Sequence, residues 1–398
     1  MEELFNFFYK KLQETDLSFQ RYLINEIDWN GRLSAITGAR GTGKTTMILQ
    51  HIKKEFGDSP VEALYVSLDH FWFSENRLFD LATSFDKLGG KFLFIDEVYK
   101  YENWSREIRS ISDCFSNMKI VFIAPSTLEI HKSNADLSRR ATHYVLHGMS
   151  FREFLKFDQD IDFERYTLDD VLLNHIRIAG DINEKITPIS LFGTYLKQGY
   201  YPYCKSDKQL FLSKLANMVN LILETDLPAV GKIEIHSIKK IKKLFWIIFH
   251  SVPFTPNVAE LATSLGDSRN SLLNYLKTLE RVGLINFLQS CGKKTCSFAK
   301  PEKVYLNNTN LAYALESKKS DRGNLQETFF FNQLRAVSEV TLANYTNFTV
   351  NEKYTFKVGS QSKKDKKIIG AENSYFAVDN IECGFENNIP LWLFGMLY

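Results

Sequence analysis

Apolar residues gather in short continuous runs over the first part of the chain, and these runs alternate with stretches of helical spacing. Arg32-Leu33-Ser34-Ala35-Ile36-Thr37, Ala63-Leu64-Tyr65-Val66-Ser67-Leu68-Asp69, Met118-Lys119-Ile120-Val121-Phe122-Ile123-Ala124 and the short Tyr144-Val145-Leu146 read as strands. Phe92-Leu93-Phe94-Ile95 has no polar alternation at all, which marks a strand covered on both faces. Residues 45–52 and 104–111 carry the helical period between them. Strand and helix in alternation predict a parallel sheet with helices on its faces.

The pattern changes after residue 150. Ser150 followed by Glu153 makes a capping box, and residues 151–235 read as helical, a lid over whatever the sheet holds. Residues 236–300 hold an apolar helix with lysines on one face, a short helix at 258–265, a Gly266-Asp267 turn and a longer helix capped by Ser268. A strand from Gly283 and the basic tip Gly292-Lys293-Lys294 follow, which together predict a winged helix. Its polar face offers Arg269, Asn270, Asn274 and Lys277 to DNA, although such modules also bind proteins. Residues 301–398 read as a small mixed α/β domain with a helix at 324–334, strands at 348–350 and 354–358, and an apolar last segment that packs as a strand or helix.

Gly38-Ala39-Arg40-Gly41-Thr42-Gly43-Lys44-Thr45 fits the phosphate-loop pattern G-x-x-x-x-G-K-[ST], between a strand and a helix. Glycines let successive backbone N–H groups turn inward around a phosphate chain, and the helix N-terminus adds partial positive charge. The expected ATP contacts are Gly38, Ala39, Arg40, Gly41, Thr42, Gly43, Lys44, Thr45 and Thr46. Lys44 is placed on the β- and γ-phosphates, and Thr45 on Mg²⁺.

Asp96 and Glu97 end the buried 92–95 run. Ligands of open α/β sheets gather at the C-terminal ends of strands. Asp96 is therefore the second Mg²⁺ residue, and Glu97 the base for an attacking water. Ser126, with Thr127 second, follows the strand at 118–124, where a polar side chain touches the γ-phosphate or the water; a helix cap would look the same. Arg140, or Arg139, stands before the last strand as an arginine finger, a role worth roughly 10³–10⁵ in rate, or lies on a solvated helix end. Asp69 at a strand tip is a cap or a weaker site residue.

Composition narrows the partners. Net charge is +2, so no global field draws the chain to nucleic acid, and DNA contact needs a local patch. Thirty-two phenylalanines point to large cores. The five cysteines lack metal spacing, and we read all of them, Cys291 and Cys296 included, as free cytosolic thiols. The N-terminal residues do not read as a secretory signal, and no run reaches the roughly 18 apolar residues of a membrane span, so a cytoplasmic protein is expected.

In these motifs the chain resembles the prokaryotic AAA-type ATP-binding proteins that carry a P-loop domain, a winged helix and a C-terminal domain related to restriction-type nucleases. The resemblance runs from about residue 20 onward. It rests on 38–45, 92–97, 124–127, the arginine pair, 150–155, Gly199-Tyr200-Tyr201-Pro202 and Glu327. It implies an α/β fold: a P-loop ATPase domain over 1–150, a lid over 151–235, a winged helix over 236–300 and a nuclease-like domain over 301–398. It also implies MgATP hydrolysis coupled to conformational change, with a protein partner or homo-oligomer. The alternatives are a slow nucleotide-dependent switch on DNA or protein and an ATP-regulated nuclease. Against the last, Asn347, Lys357 and Gln361 stand where a nuclease needs carboxylates and a lysine, leaving Glu327 as a single metal ligand.

Overall fold

The computed structural model describes the chain except for residues 59, 125–134, 206–208, 229–234, 291–299, 316–321, 344–345 and 360–371. The described residues fall into two compact units, 1–148 and those from 149 onward. Among them, no helix is long and apolar enough to cross a membrane.

The first unit is built on five parallel strands: β1 (Leu33–Thr37), β2 (Ala63–Ser67), β3 (Phe92–Asp96), β4 (Lys119–Ala124) and β5 (Thr142–Val145). Their order is β2-β3-β4-β1-β5, so β4 lies between β1 and β3. Every residue of β1 and β2 is buried, as the unbroken apolar runs require. Only β5 departs noticeably from expectation. It starts at Thr142, and Leu146 lies beyond it.

Helices α2 (Lys44–Phe56), α3 (Leu78–Lys87) and α4 (Trp104–Cys114) connect the strands, and the short α5 (Ala135–Arg140) precedes β5. The N-terminal α1 (Glu2–Gln13) buries Leu4, Phe8 and Leu12, one stripe at i, i+4 and i+8, and packs on α2 and β2.

In the second unit, α6 (Phe151–Gln159) starts at the expected capping box: Ser150 Oγ accepts from the Glu153 N–H, and Glu153 accepts from the Ser150 N–H. Then follow α7 (Leu168–Asn183), α8 (Pro188–Gln198) and α9 (Phe211–Leu221). The first three of these helices pack on a buried 3₁₀ turn, Leu391–Met396, so the helical segment shares its core with the end of the sequence.

Helices α10 (Ile235–Phe249), α11 (Val258–Leu265) and α12 (Arg269–Arg281) lead into an antiparallel pair, β6 (Ile285–Leu288) and β7 (Lys303–Leu306). Gly266 adopts the left-handed conformation and Ser268 Oγ accepts from the Ser271 N–H, as the turn residues anticipate. Strand β7 lies past residue 300, where we expected this segment to end. The basic tip at 292–294 and the Cys291–Cys296 pair lie outside the described residues. Among the described residues, Cys114, Cys204 and Cys383 are not joined in disulfides.

Helices α13 (Thr309–Leu315) and α14 (Arg322–Leu334) precede a mixed sheet of β8 (Val340–Leu342), β9 (Phe348–Val350), β10 (Tyr354–Val358), β11 (Ser374–Val378) and β12 (Asn388–Pro390). Phe330 of α14 seats against Phe348, Phe356 and Phe394, with ring centroids 5.3, 5.1 and 4.8 Å away. The last segment forms both a strand and a helical turn, in keeping with its apolar sequence.

Candidate nucleotide site

The loop from Gly38 to Gly43 joins β1 to α2, and its glycines are there for a steric reason. Gly38, Gly41 and Gly43 have φ of 148°, 82° and 94°, a region that residues with a Cβ avoid. A Cβ on Gly38 would also stand 2.3 Å from the Leu146 carbonyl oxygen. Thr42, fully buried, donates its hydroxyl to the Ala39 carbonyl at 2.9 Å. Lys44 donates to the carbonyls of Gly38 and Ala39, each at 2.8 Å, so its ammonium lies over the loop. Among the described residues no side chain caps α2, which starts at Lys44. Its first N–H groups and its dipole therefore face the loop. Ala39 and Arg40 are half-buried, and Thr46 is exposed.

Across the sheet, Asp96 ends β3 and is 3 % exposed. Its Oδ2 accepts from Thr45 Oγ1 at 2.6 Å and from Tyr65 OH at 2.9 Å. Its Oδ1 accepts from the Glu97 N–H at 2.7 Å. Burial pushes the Asp96 carboxyl above its ordinary range, opposed by the Thr45 hydroxyl and reinforced by the charge of Glu97. Burial, then the charge of Asp96, pushes the Tyr65 phenol far up, so it stays a donor. A hydroxyl and a carboxylate oxygen are the hard donors that Mg²⁺ prefers, and these two already stand together, so the residues present fit that ion.

Glu97 has φ of 51°, a left-handed backbone that turns the chain sharply at the end of β3. Its Oε2 is buried and lies 3.5 Å from Lys100 Nζ. The same ammonium donates to Asp69 Oδ2 at 3.1 Å, and Ser67 Oγ donates to Asp69 Oδ1 at 2.5 Å. Partial burial disfavours the Lys100 charge, but its bond to Asp69 and the charge of Glu97 outweigh this and raise its pKa.

The structure thus joins the 38–43 loop to the first turn of α2, which carries Lys44, Thr45 and Thr46, and bonds Thr45 to Asp96 at the end of β3, with Glu97 next in the chain. Arg140 ends α5 with its guanidinium paired to Asp113 of α4, while Arg139 is exposed. Ser126 and Thr127 lie outside the described residues. Three residues escaped the sequence reading. Tyr65 was visible only as a polar tip within an apolar run, and Lys100 as a cation three residues after Glu97. Arg21 carries no motif, yet it is 3 % exposed and donates to the Thr42 and His147 carbonyls.

Residues 30–155 match the family model described as an AAA domain, and residues 189–322 match a domain of unknown function. Two uncharacterized proteins of Methanocaldococcus jannaschii are similar. One is 25% identical over 285 residues, covering 68% of this chain and 60% of the relative. The other is 24% identical over 320 residues, covering 76% and 66%. The chain therefore spans less than two thirds of either relative. AMPPCP-bound DnaA from Aquifex aeolicus overlaps 70% of this chain and 88% of its own, at 14% identity and a TM-score of 0.27, a likeness too loose to bear on fold or activity. The family match and the loop geometry agree: the chain carries a P-loop domain of the AAA type.

Proposed function

We propose that this protein binds MgATP in the 38–46 loop and hydrolyses it, coupling nucleotide state to conformational change and partner binding. The observation that carries the reading is the 2.6 Å bond from Thr45 to Asp96 beside a glycine-formed loop. The loop amides and Lys44 bind and orient the phosphates, where their positive charge counters charge developing in transfer. Thr45 and Asp96 would hold Mg²⁺, which when bound would supply further neutralisation of phosphate charge. Glu97 accepts the proton of the attacking water, and Arg140 is the finger on a nucleotide held by a neighbouring copy.

The segment from α10 to β7 is read as a winged helix. Phe254 pairs with Val304 through two backbone bonds, of 2.9 and 2.8 Å, a single bridge beside the two-stranded β6–β7 pair. Arg269, Asn270 and Asn274 are exposed on α12 and Lys277 is half-buried, a face available to DNA or to a protein. The exposed thiols of Cys114 and Cys383 support a reducing, cytoplasmic setting. A slow nucleotide-dependent switch is the second reading, favoured by the pairing of Glu97 with Lys100.

Calorimetric titration and phosphate release test both readings. Wild type binds MgATP, and Lys44→Ala abolishes binding. Glu97→Gln keeps binding while release falls by roughly 10²–10⁴, because a carboxamide cannot accept the proton. Equal binding by wild type and Lys44→Ala would overturn the site assignment. Unchanged release in Glu97→Gln would give the base to another residue.

A further inference from the structure

Arg21 sits beneath the phosphate loop for reasons written into α2. Gln50, 4 % exposed on that helix, donates Nε2 to the carbonyls of Asp16 at 2.7 Å and Phe19 at 2.8 Å. Lys53, one turn on, donates to the Thr15 carbonyl at 3.0 Å. The segment before β1 is thereby pinned along α2. Leu23 and Ile24 bury themselves in the 3₁₀ turn Tyr22–Asn25, and Arg21 stands at the start of that turn. Its guanidinium then reaches two carbonyls with different nitrogens: Nη1 donates to Thr42 and Nη2 to His147 at 2.8 Å.

The peptide that carries the Thr42 carbonyl also carries the Gly43 N–H. That bond is trans, so its C=O and N–H point in opposite directions. A carbonyl held outward by a buried cation leaves the Gly43 N–H aimed to the opposite side, the inner side of a loop that curves around phosphates. The left-handed φ of Gly43 is what allows the plane to lie this way. A glycine loop is free to adopt many conformations, and fixing one in advance removes an ordering cost from binding.

We propose that Arg21 is a positioning residue for phosphate binding: it holds the Thr42–Gly43 peptide with its N–H toward the phosphates and ties that peptide to His147. The proposal rests on the nucleotide-binding reading above. It gives the loop a mechanical link to the stretch after β5, one residue before this unit ends at Gly148.

The test is titration of the full chain with MgADP and MgATP, in wild type, Arg21→Met and Arg21→Lys. Arg21→Met weakens both nucleotides by roughly tenfold to hundredfold, the loss of charge-assisted bonds in a buried setting. Turnover at saturating MgATP falls less than the affinity does, because Arg21 touches no transferred atom and acts only through the Gly43 amide. Arg21→Lys recovers only part of the affinity, since one ammonium cannot replace a fork that reaches two carbonyls. A purely structural role would lower the melting temperature and leave both affinities unchanged, which would overturn the proposal. Hydrogen exchange on the wild type covers the case in which Arg21→Met does not fold. MgADP then protects the Gly43 and Gly148 amides together, and protection of Gly43 alone would overturn the link. Failure of the wild type to bind either nucleotide takes down the functional reading with this one, whereas equal binding by wild type and Arg21→Met removes only the role of Arg21.

Discussion

Thr45 Oγ1 donates to Asp96 Oδ2 at 2.6 Å, joining the first turn of α2 to the end of β3 across the intervening strand β4. Tyr65 OH donates to the same oxygen, so Asp96 is oriented by two hydroxyls before any ligand arrives. That orientation separates two functions. Asp96→Asn keeps the side-chain shape and loses the charge. We expect ATP without Mg²⁺ to bind the variant about as it binds wild type, while the gain in affinity on adding Mg²⁺ falls at least roughly tenfold. Thr45→Val does the same to a smaller extent. Titrations with and without EDTA measure this gain. An unchanged Mg²⁺ effect in Asp96→Asn would remove Asp96 from the metal.

The loop and the Asp96-Glu97 pair were legible in the sequence because each is local: a fixed spacing of glycines, and two carboxylates after an unbroken apolar run. Tyr65 and Lys100 were not. Their contacts depend on the register of β2 with β3, which sets Ser67 opposite Asp96. Arg21 precedes β1 and meets Thr42 and His147 only after folding, so no window of sequence contains the relationship. The packing of α6, α7 and α8 on residues 391–396 joins segments from opposite ends of the second unit, and periodicity reports only that each has an apolar face. The end of the β6–β7 pair was misplaced because a long connection separates its strands.

Lys100 stands between Asp69 and Glu97 and holds Glu97 toward β2, on the side of β3 away from β1 and its loop. Lys100→Met should release that hold. The expected outcome is a turnover number raised about threefold to tenfold, near the rate equivalent of the ~1 kcal/mol of a partly exposed ion pair, with KM for MgATP unchanged. Asp69→Asn should act oppositely, since the ammonium is then left to Glu97 alone. Steady-state phosphate release decides it, and a slower Lys100→Met would show that the pairing assists the reaction.

His51 lies on α2, 7 % exposed, stacked on Trp29 with ring centroids 3.8 Å apart and planes 8° from parallel. Burial, and secondarily the charge of Lys54, lower its pKa to about 4. The folded form thus disfavours the proton relative to the unfolded chain, where the value is about 6.5. Stability from this group is fully present above pH 6.5 and is lost as pH falls from there to about 4. His51→Phe keeps the stack without the titration. Between pH 7 and 4.5 the wild type should lose about 2 kcal/mol more than the variant in urea melts. Parallel pH profiles would show that His51 is no acid sensor of this fold.

Glu327 of α14 has its carboxylate enclosed by donors. Oε2 accepts from Tyr305 OH at 2.8 Å, Oε1 accepts from Asn347 Nδ2 at 2.7 Å, and Lys303 Nζ lies 3.8 Å from Oε2. Asn347 is itself fixed, its Oδ1 accepting from the Val358 N–H at 2.9 Å. A hydrolytic metal centre needs several anionic ligands, and here the neighbours of the carboxylate are a phenol, an amide and an ammonium. The alternation along β10 buries Tyr354, Phe356 and Val358 and leaves Lys357 half-buried on the other face, while Gln361 is outside the described residues. The arrangement reads as a hydrogen-bonded brace between α14, β7 and the residue before β9. Glu327→Gln puts an NH₂ where one of two donors needs an acceptor, so we expect a loss of about 1–3 kcal/mol in stability. Supercoiled plasmid incubated with the wild type and Mg²⁺ or Mn²⁺ should stay intact. Nicking that persists in Lys44→Ala and vanishes in Glu327→Ala would make this centre a nuclease after all, with the carboxylate freed from its brace to hold the metal.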